Sequence, residues 1–315
     1  MAVNGYDRLT STTLAKYRKR MTDNIFTARP LTYWLFNKNR IRFESGGTKV
    51  VEPLVYAGVG GSVAASYSGF DTITLSNVDA VDGIAAAEFD WRQYWGWLSI
   101  SGIEDAKNRG DEAVLNLYEA KIMQLEESMG DGFNTMFYAD GTGNTNKDWL
   151  GLGIAVEAAG TFGGIDRATY TWWQSYEENT AAALTVPQMA TAYNTVSKGN
   201  DTPDFIITTQ TLFEKYEALV QPNLRYQDAK TADAGFQNLV YKGAPVMFDT
   251  ACTSGVMYFL NSKYLGIVGH KNNWFKLSEK REPTNGDAVY QMIKCYGNLT
   301  ARNCKRLGKL TAKTA

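Results

Sequence analysis

Residues 111–137, DEAVLNLYEAKIMQLEESMGDGFNTMF, place Leu115, Tyr118, Ile122, Leu125, Met129, Phe133 and Met136 three or four positions apart. That period puts them on one stripe of an α-helix, with the acids and amides on the remaining surface. Such a helix runs roughly 40 Å, long for a globular unit. A Gly/Asn-rich loop from Asp140 to Asp148 ends it.

Upstream, Arg42 to Ser101 reads as extended chain. Val50 to Tyr56 is rich in β-branched and aromatic residues, and Gly46, Gly47, Gly58, Gly60, Gly61 and Gly69 punctuate it as turns. Phe89, Trp91, Gln93, Trp95 and Trp97 alternate with Asp90, Arg92, Tyr94, Gly96 and Leu98. The expectation is a long hairpin-like excursion with this stretch as its return leg. Earlier still, Ser11 caps a helix carrying Leu14, Tyr17, Met21 and Ile25 on one face, which Pro30 interrupts before a short helical piece from Leu31 to Phe36. This arm carries Lys16, Arg18, Lys19 and Arg20, a basic face for water, an acidic partner or nucleic acid.

Downstream of the long helix, a turn-rich aromatic region passes through Trp172 and Trp173 to about Thr180. From Leu184 the pattern becomes α/β: helix Pro187 to Ser197, strand Phe205 to Thr208, helix Thr211 to Val220, strands Leu239 to Tyr241, Pro245 to Phe248, Val256 to Leu260 and Tyr264 to Val268. Ala288 to Arg302 alternates as a long strand, and the basic, polar tail with Lys305, Arg306, Lys309 and Lys313 is expected at the surface.

Composition narrows the function classes. A chain of 315 residues, 44% hydrophobic, can bury a large core, and a formal net charge of -1 does not predict overall attraction to nucleic acid or membrane. Cys252, Cys295 and Cys304 are odd in number and lack CxxC spacing, so neither a disulfide framework nor a structural zinc is expected. The first residues do not read as a signal peptide, and no apolar run approaches the roughly 20 residues of a spanning helix. The sequon Asn298-Leu299-Thr300 is therefore expected to be fortuitous.

Chemical motifs fare poorly. His270 is the single histidine, which removes most metal sites and the Ser-His-Asp and Cys-His arrangements. Gly58-Val59-Gly60-Gly61 lacks the third glycine and the following helix of a dinucleotide fingerprint. Asp140, Thr142, Asn144, Asn146 and Asp148 alternate as in a calcium loop, yet Thr145 and Gly151 stand where the central glycine and closing acid belong. Adjacent acids such as Glu126-Glu127 and Glu177-Glu178 do not mark a catalytic pair. No enzyme signature and no cofactor is expected.

An isolated two-stranded excursion with a tryptophan face is marginal in water and sticky at its edges. A neighbouring copy is the economical cover. At this point Tyr67-Ser68-Gly69-Phe70-Asp71, Leu98-Ser99-Ile100-Ser101-Gly102, Asn108-Arg109-Gly110 and Phe137-Tyr138-Ala139-Asp140-Gly141, with the order of parts along nearly the whole chain, resemble major capsid proteins of tailed bacteriophages with the Hong Kong 97-type fold.

The resemblance implies an α+β fold: an N-terminal arm (1–39), an extended β-hairpin loop (40–88), a peripheral domain with a long spine helix (89–179), a central α/β axial domain (180–280) and a return to the peripheral domain (281–315). It implies self-assembly into hexamers and pentamers of an icosahedral head around double-stranded DNA, in the cytoplasm of a bacterial host and without a membrane. Implied partners are portal, a separate scaffolding protein, a decoration protein and packaged DNA in weak non-specific contact. No fused scaffolding segment is expected before the arm, and Lys49 carries no mark of an isopeptide pair, so assembly is expected to be non-covalent. Interface expectations fall on Tyr67, Phe70 and Asp71 in the loop, Trp91 and Trp95 on its return, Arg225, Tyr226 and Asp228 facing a symmetry axis, and Lys16, Arg18 and Arg20 in the arm. The competing readings are an encapsulin-like compartment, a carbohydrate-binding surface protein stacking sugars on Trp91, Trp95, Trp97, Trp172 and Trp173, and an enzyme of undetected type.

Overall fold

Proline at the first turn of a helix costs no hydrogen bond, and the first helix among the described residues, α1 (Pro30–Asn37), begins on one. The computed structural model describes residues 29–58, 83–107, 117–220, 239–283 and 286–315. The helix expected from Ser11 to Ile25 and the first turns of the long helix, residues 111–116, lie outside them.

After α1 come β1 (Ile41–Glu44), β2 (Lys49–Val55), β3 (Ile84–Asp90), β4 (Arg92–Ser101), α2 (Gly102–Lys107) and the long helix α3 (Leu117–Met136). Short strands β5 (Thr161–Phe162), β6 (Ile165–Asp166), β7 (Tyr176–Glu178) and β8 (Ala182–Ala183) lead to α4 (Val186–Val196), β9 (Phe205–Thr208) and α5 (Gln210–Val220). The chain continues through β10 (Leu239–Tyr241), β11 (Ala244–Phe248), β12 (Met257–Leu260), β13 (Leu265–His270), β14 (Lys276–Leu277), β15 (Ala288–Ala301), β16 (Gly308–Leu310) and β17 (Lys313–Thr314).

Two sheets organise the mixed α/β fold. One is five-stranded and centred on β15, which pairs with β4 along Ala288 to Gly297 and with β13 along Gly297 to Ala301, while β1 adds to β13 in parallel. The other is six-stranded in the order β10-β11-β9-β12-β16-β7. Around it α4 and α5 close a core of Leu184, Met189, Tyr193, Ile206, Leu212, Tyr216, Met257 and Phe259. β9, FIIT, is buried at every position, as a central strand covered on both faces must be.

The long helix lies on β4. Its stripe of Leu125 and Met129 packs on Leu98, Ile100 and Ile293, and Phe133 and Phe137 continue into the main core beside Trp149. Phe133 meets Phe137, Trp149 and Phe275 edge-on, with ring centroids 4.6, 5.2 and 5.3 Å apart.

Three expectations need correction. The partner of the outgoing strand β2 is β3, with Lys49 opposite Asp90 and Val55 opposite Ile84, while β4 leaves the hairpin at Trp91 to join β15. Phe89 is accordingly buried while Trp95 and Trp97 are exposed, although simple alternation put all three on one face. Nor does the hairpin lack cover: Val50, Leu54, Ala87 and Phe89 sit in the main core with Phe162 and Trp173. Finally, Lys309 and Lys313 are buried, because β16 and β17 carry them beside acids: Lys309 Nζ lies 3.3 Å from Glu177 and 3.5 Å from Glu157, and Lys313 Nζ 2.8 Å from Glu178.

Sheet membership also crosses the 180–280 span expected for the α/β unit. The six-stranded sheet takes β7 and β16 from outside it, and β13 within it belongs to the five-stranded sheet. The sequon lies inside β15, where Asn298 is fully buried, accepting from the Leu150 N–H at 3.0 Å and donating to Asp90 O at 2.9 Å.

Candidate interaction surfaces

β4 alternates between the helix and the outside. Leu98 and Ile100 point inward; Gln93, Trp95, Trp97 and Ser99 point outward. Trp97 is 63% exposed and Trp95 46%, and their rings lie 5.1 Å apart. The register sets Met292 opposite Trp97, Lys294 opposite Trp95 and Tyr296 opposite Gln93, so half-buried residues of β15 widen the same face. A shallow groove of about 150 Å³ runs between Gln93, Trp95, Met292, Lys294 and Tyr296.

Trp91, at the corner between β3 and β4, behaves differently. Its Nε1–H donates to Gly47 O at 2.9 Å, and its ring meets His270 edge-on at 5.6 Å. It shares with His270, Tyr296, Gly46 and Gly47 an open depression of about 330 Å³ whose lining includes neither a carboxylate nor a thiol. His270 Nδ1 accepts the Asn272 N–H at 3.2 Å.

The outward face of the β2–β3 hairpin is a second apolar surface, with Val55 81% and Ile84 73% exposed and Val51 beside them. Of the expected interface residues, the structure therefore brings Trp91 and Trp95 to one side of the five-stranded sheet. Tyr67, Phe70, Asp71, Arg225, Tyr226, Asp228, Lys16, Arg18 and Arg20 lie outside the described residues.

Tryptophans considered as sugar platforms divide. Trp173 is buried with Nε1–H donating to Phe162 O at 2.9 Å, and Trp172 is stacked on Tyr56 at 4.8 Å, so neither offers a free ring face comparable to Trp97. Asp140 forms a local turn, accepting from the Thr142 N–H at 3.0 Å and its hydroxyl at 2.8 Å, which holds its carboxyl below the usual range. Among the described residues no group of three or more His, Cys, Asp or Glu is placed to hold a metal, and no helix is long and apolar enough to cross a membrane.

The sequence reading missed the contribution of Met292, Lys294 and Tyr296. Their alternation in the long strand was visible, but not which strand would lie beside it. It also missed a polar network under the hairpin, where buried Glu52 binds Arg42 at 2.9 Å and Arg302 at 3.2 Å across 250 residues of sequence.

By sequence, no protein-family model and no curated protein matches the chain. Solved structures do. A chain of the cyanophage A-1(L) capsid asymmetric unit superposes with a TM-score of 0.72 at 17% identity, covering 98% of this chain and 99% of that one. This is the fold of phage capsid proteins. The capsid of a native GTA particle aligns over 99% and 98% of the two chains with a TM-score of 0.62 at 10% identity. The SrpI encapsulin of Synechococcus elongatus PCC 7942 shares the capsid fold equally, with a TM-score of 0.62 at 11% identity over 100% and 97%.

Proposed function

We propose that this chain is the major capsid protein of a tailed bacteriophage, assembling into hexamers and pentamers of an icosahedral head that encloses double-stranded DNA. The observation that carries the reading is the end-to-end superposition on the cyanophage A-1(L) capsid chain, covering 98% and 99% of the two chains with a TM-score of 0.72. A correspondence that leaves no large piece of either chain unmatched supports a shared architecture for the whole subunit.

In this reading α3 is the spine helix of a peripheral domain, the β2–β3 hairpin is the base of an extended loop, the unit around β9 and β12 is the axial domain, and residues 1–39 form an arm. The role is structural and not enzymatic. Two exposed apolar surfaces, Trp95 with Trp97 and Val55 with Ile84, supply what a subunit completed by its neighbours needs. Tyr67, Phe70, Asp71, Trp91 and the group Arg225, Tyr226, Asp228 are the further contacts, with Lys16, Arg18 and Arg20 in the arm. Portal, a separate scaffolding protein and a decoration protein are the expected partners, with assembly in the host cytoplasm.

Sedimentation with negative-stain imaging of the purified protein is the test. Closed shells, or stable hexamers and pentamers, support the reading; a monomer of about 35 kDa at every concentration and salt would end it. The likeness to SrpI favours a second reading, a protein-filled compartment. Nuclease-protected DNA inside the shells selects the phage head; co-purifying enzyme and no nucleic acid selects the compartment.

A further inference from the structure

Beneath the root of the β2–β3 hairpin, a cavity of about 100 Å³ opens between β1, β13 and the end of β15. Arg40, Arg42, Lys263 and Arg302 line it, and Glu52 is the single carboxylate among its lining residues. Glu52 is already engaged by Arg42 at 2.9 Å and Arg302 at 3.2 Å, with the Thr300 hydroxyl 3.4 Å away. Arg42 also reaches Glu44 at 2.8 Å, and Lys263 reaches Asp201 at 3.5 Å. Four cations thus meet three carboxylates, and Arg40 is the one without an ion pair among the described residues.

The hydrogen bonds show the same deficit. Nε of Arg40 and Nε of Arg42 are both buried and have no hydrogen-bond partner. Both side chains keep part of their surface in water, and a guanidinium stays charged at any physiological pH, so the cavity is left with an excess of positive charge and unused N–H donors that an anion would balance. The guanidinium's planar fork of N–H groups matches an oxyanion better than a halide. A water needs about 10–15 Å³ of such space, so the cavity has room for an anion the size of phosphate with a few waters.

We propose that this cavity binds a small oxyanion of the phosphate class, held principally by Arg40 with Arg42 and Arg302. The site draws on residues 40–42, Glu52, 263–268 and 300–302. A bound anion would therefore fasten the base of the hairpin to the five-stranded sheet and stabilise the folded chain by mass action. The proposal stands independently of the shell reading.

The test is calorimetric titration of the purified full-length protein with potassium phosphate, ionic strength held constant with chloride. One phosphate per chain with a Kd below about 1 mM is expected, competed by sulfate and not by chloride, with a higher melting midpoint in phosphate. Arg40→Gln should weaken binding about ten-fold or more and abolish the phosphate-dependent rise while melting normally in chloride. Arg302→Gln gives a second, independent variant should the first fail to fold. Equal midpoints in phosphate and chloride for the unsubstituted protein, or an undiminished phosphate effect in both variants, overturns the site.

Discussion

At Gly96 a Cβ would sit 2.8 Å from Met129 Cγ and 2.9 Å from Leu125 Cδ1, so the long helix rests on β4 at contact distance because that side chain is missing. The neighbours there are flexible side-chain ends. At Gly151 a Cβ would meet the carbonyl oxygens of Ala139, Met136 and Phe137 at 2.4 to 2.7 Å, and backbone cannot swing aside. Gly151→Ala is therefore expected to cost more than Gly96→Ala, about 2–3 kcal/mol against about 1, read as the drop in urea midpoint at constant m. Glu52→Gln, which strips Arg42 and Arg302 of their carboxylate, should cost about 1–3 kcal/mol, since both arginines keep part of their hydration. The thiols make a pH prediction. Burial pushes Cys252, Cys295 and Cys304 up to about 12 from an ordinary 9.0. With the folded value above the unfolded one, their contribution is whole below about pH 9 and is lost as pH rises from 9 toward 12. All three should stay silent to a thiol reagent at pH 8 in the native protein and react in urea.

At the scale of elements, the junction between α3 and the sheets carries the main core. Phe133 is its hub, touching the rings of Phe137 just past the end of its helix, of Trp149 and of Phe275, and it is essentially unexposed. Phe133→Ala is expected to destabilise by about 3–5 kcal/mol, visible as a fall in melting midpoint with loss of near-ultraviolet aromatic dichroism. The chain enters α1 through Arg29, whose guanidinium pairs with Glu127 and, at 2.7 Å, with Asp131 of α3. Those groups are partly hydrated, so Arg29→Ala should cost only about 1 kcal/mol. A buried network adds to the same joint: Thr32 Oγ1 donates to Asn134, which donates to Asp249 at 2.8 Å, and Asp249 also accepts the Tyr138 hydroxyl at 2.9 Å. It links α1, α3 and the loop after β11.

For the whole molecule, the face of Trp95 and Trp97 separates folding from association. Trp97 is 63% and Trp95 46% exposed in the single chain, so the double substitution Trp95→Ser with Trp97→Ser should cost the folded chain only about 1–3 kcal/mol, the value of the area the two rings already bury. Association should suffer much more, because exposed aromatic surface is where intersubunit energy concentrates. Sedimentation velocity of the two proteins measures this; unchanged particle yield would remove the face from the interface.

The sequence by itself determined the local elements. The strand at Phe205–Thr208 and the one at Leu239–Tyr241 lie where composition placed them, and β15 and the two α/β helices fall within one or two residues of expectation. A buried run or a 3.6-residue period reports on its own environment, and needs no distant partner to be recognised. Only the tertiary structure decided that β4 abandons the hairpin for β15, that Lys309 and Lys313 are buried on acids more than 130 residues away, and that Arg42 and Arg302 share Glu52. Alternation along a strand shows which face a residue takes but not which neighbour accepts its backbone, since every edge offers the same N–H and C=O groups. Ion pairing is likewise set by which segments packing brings together, and that requires the whole chain.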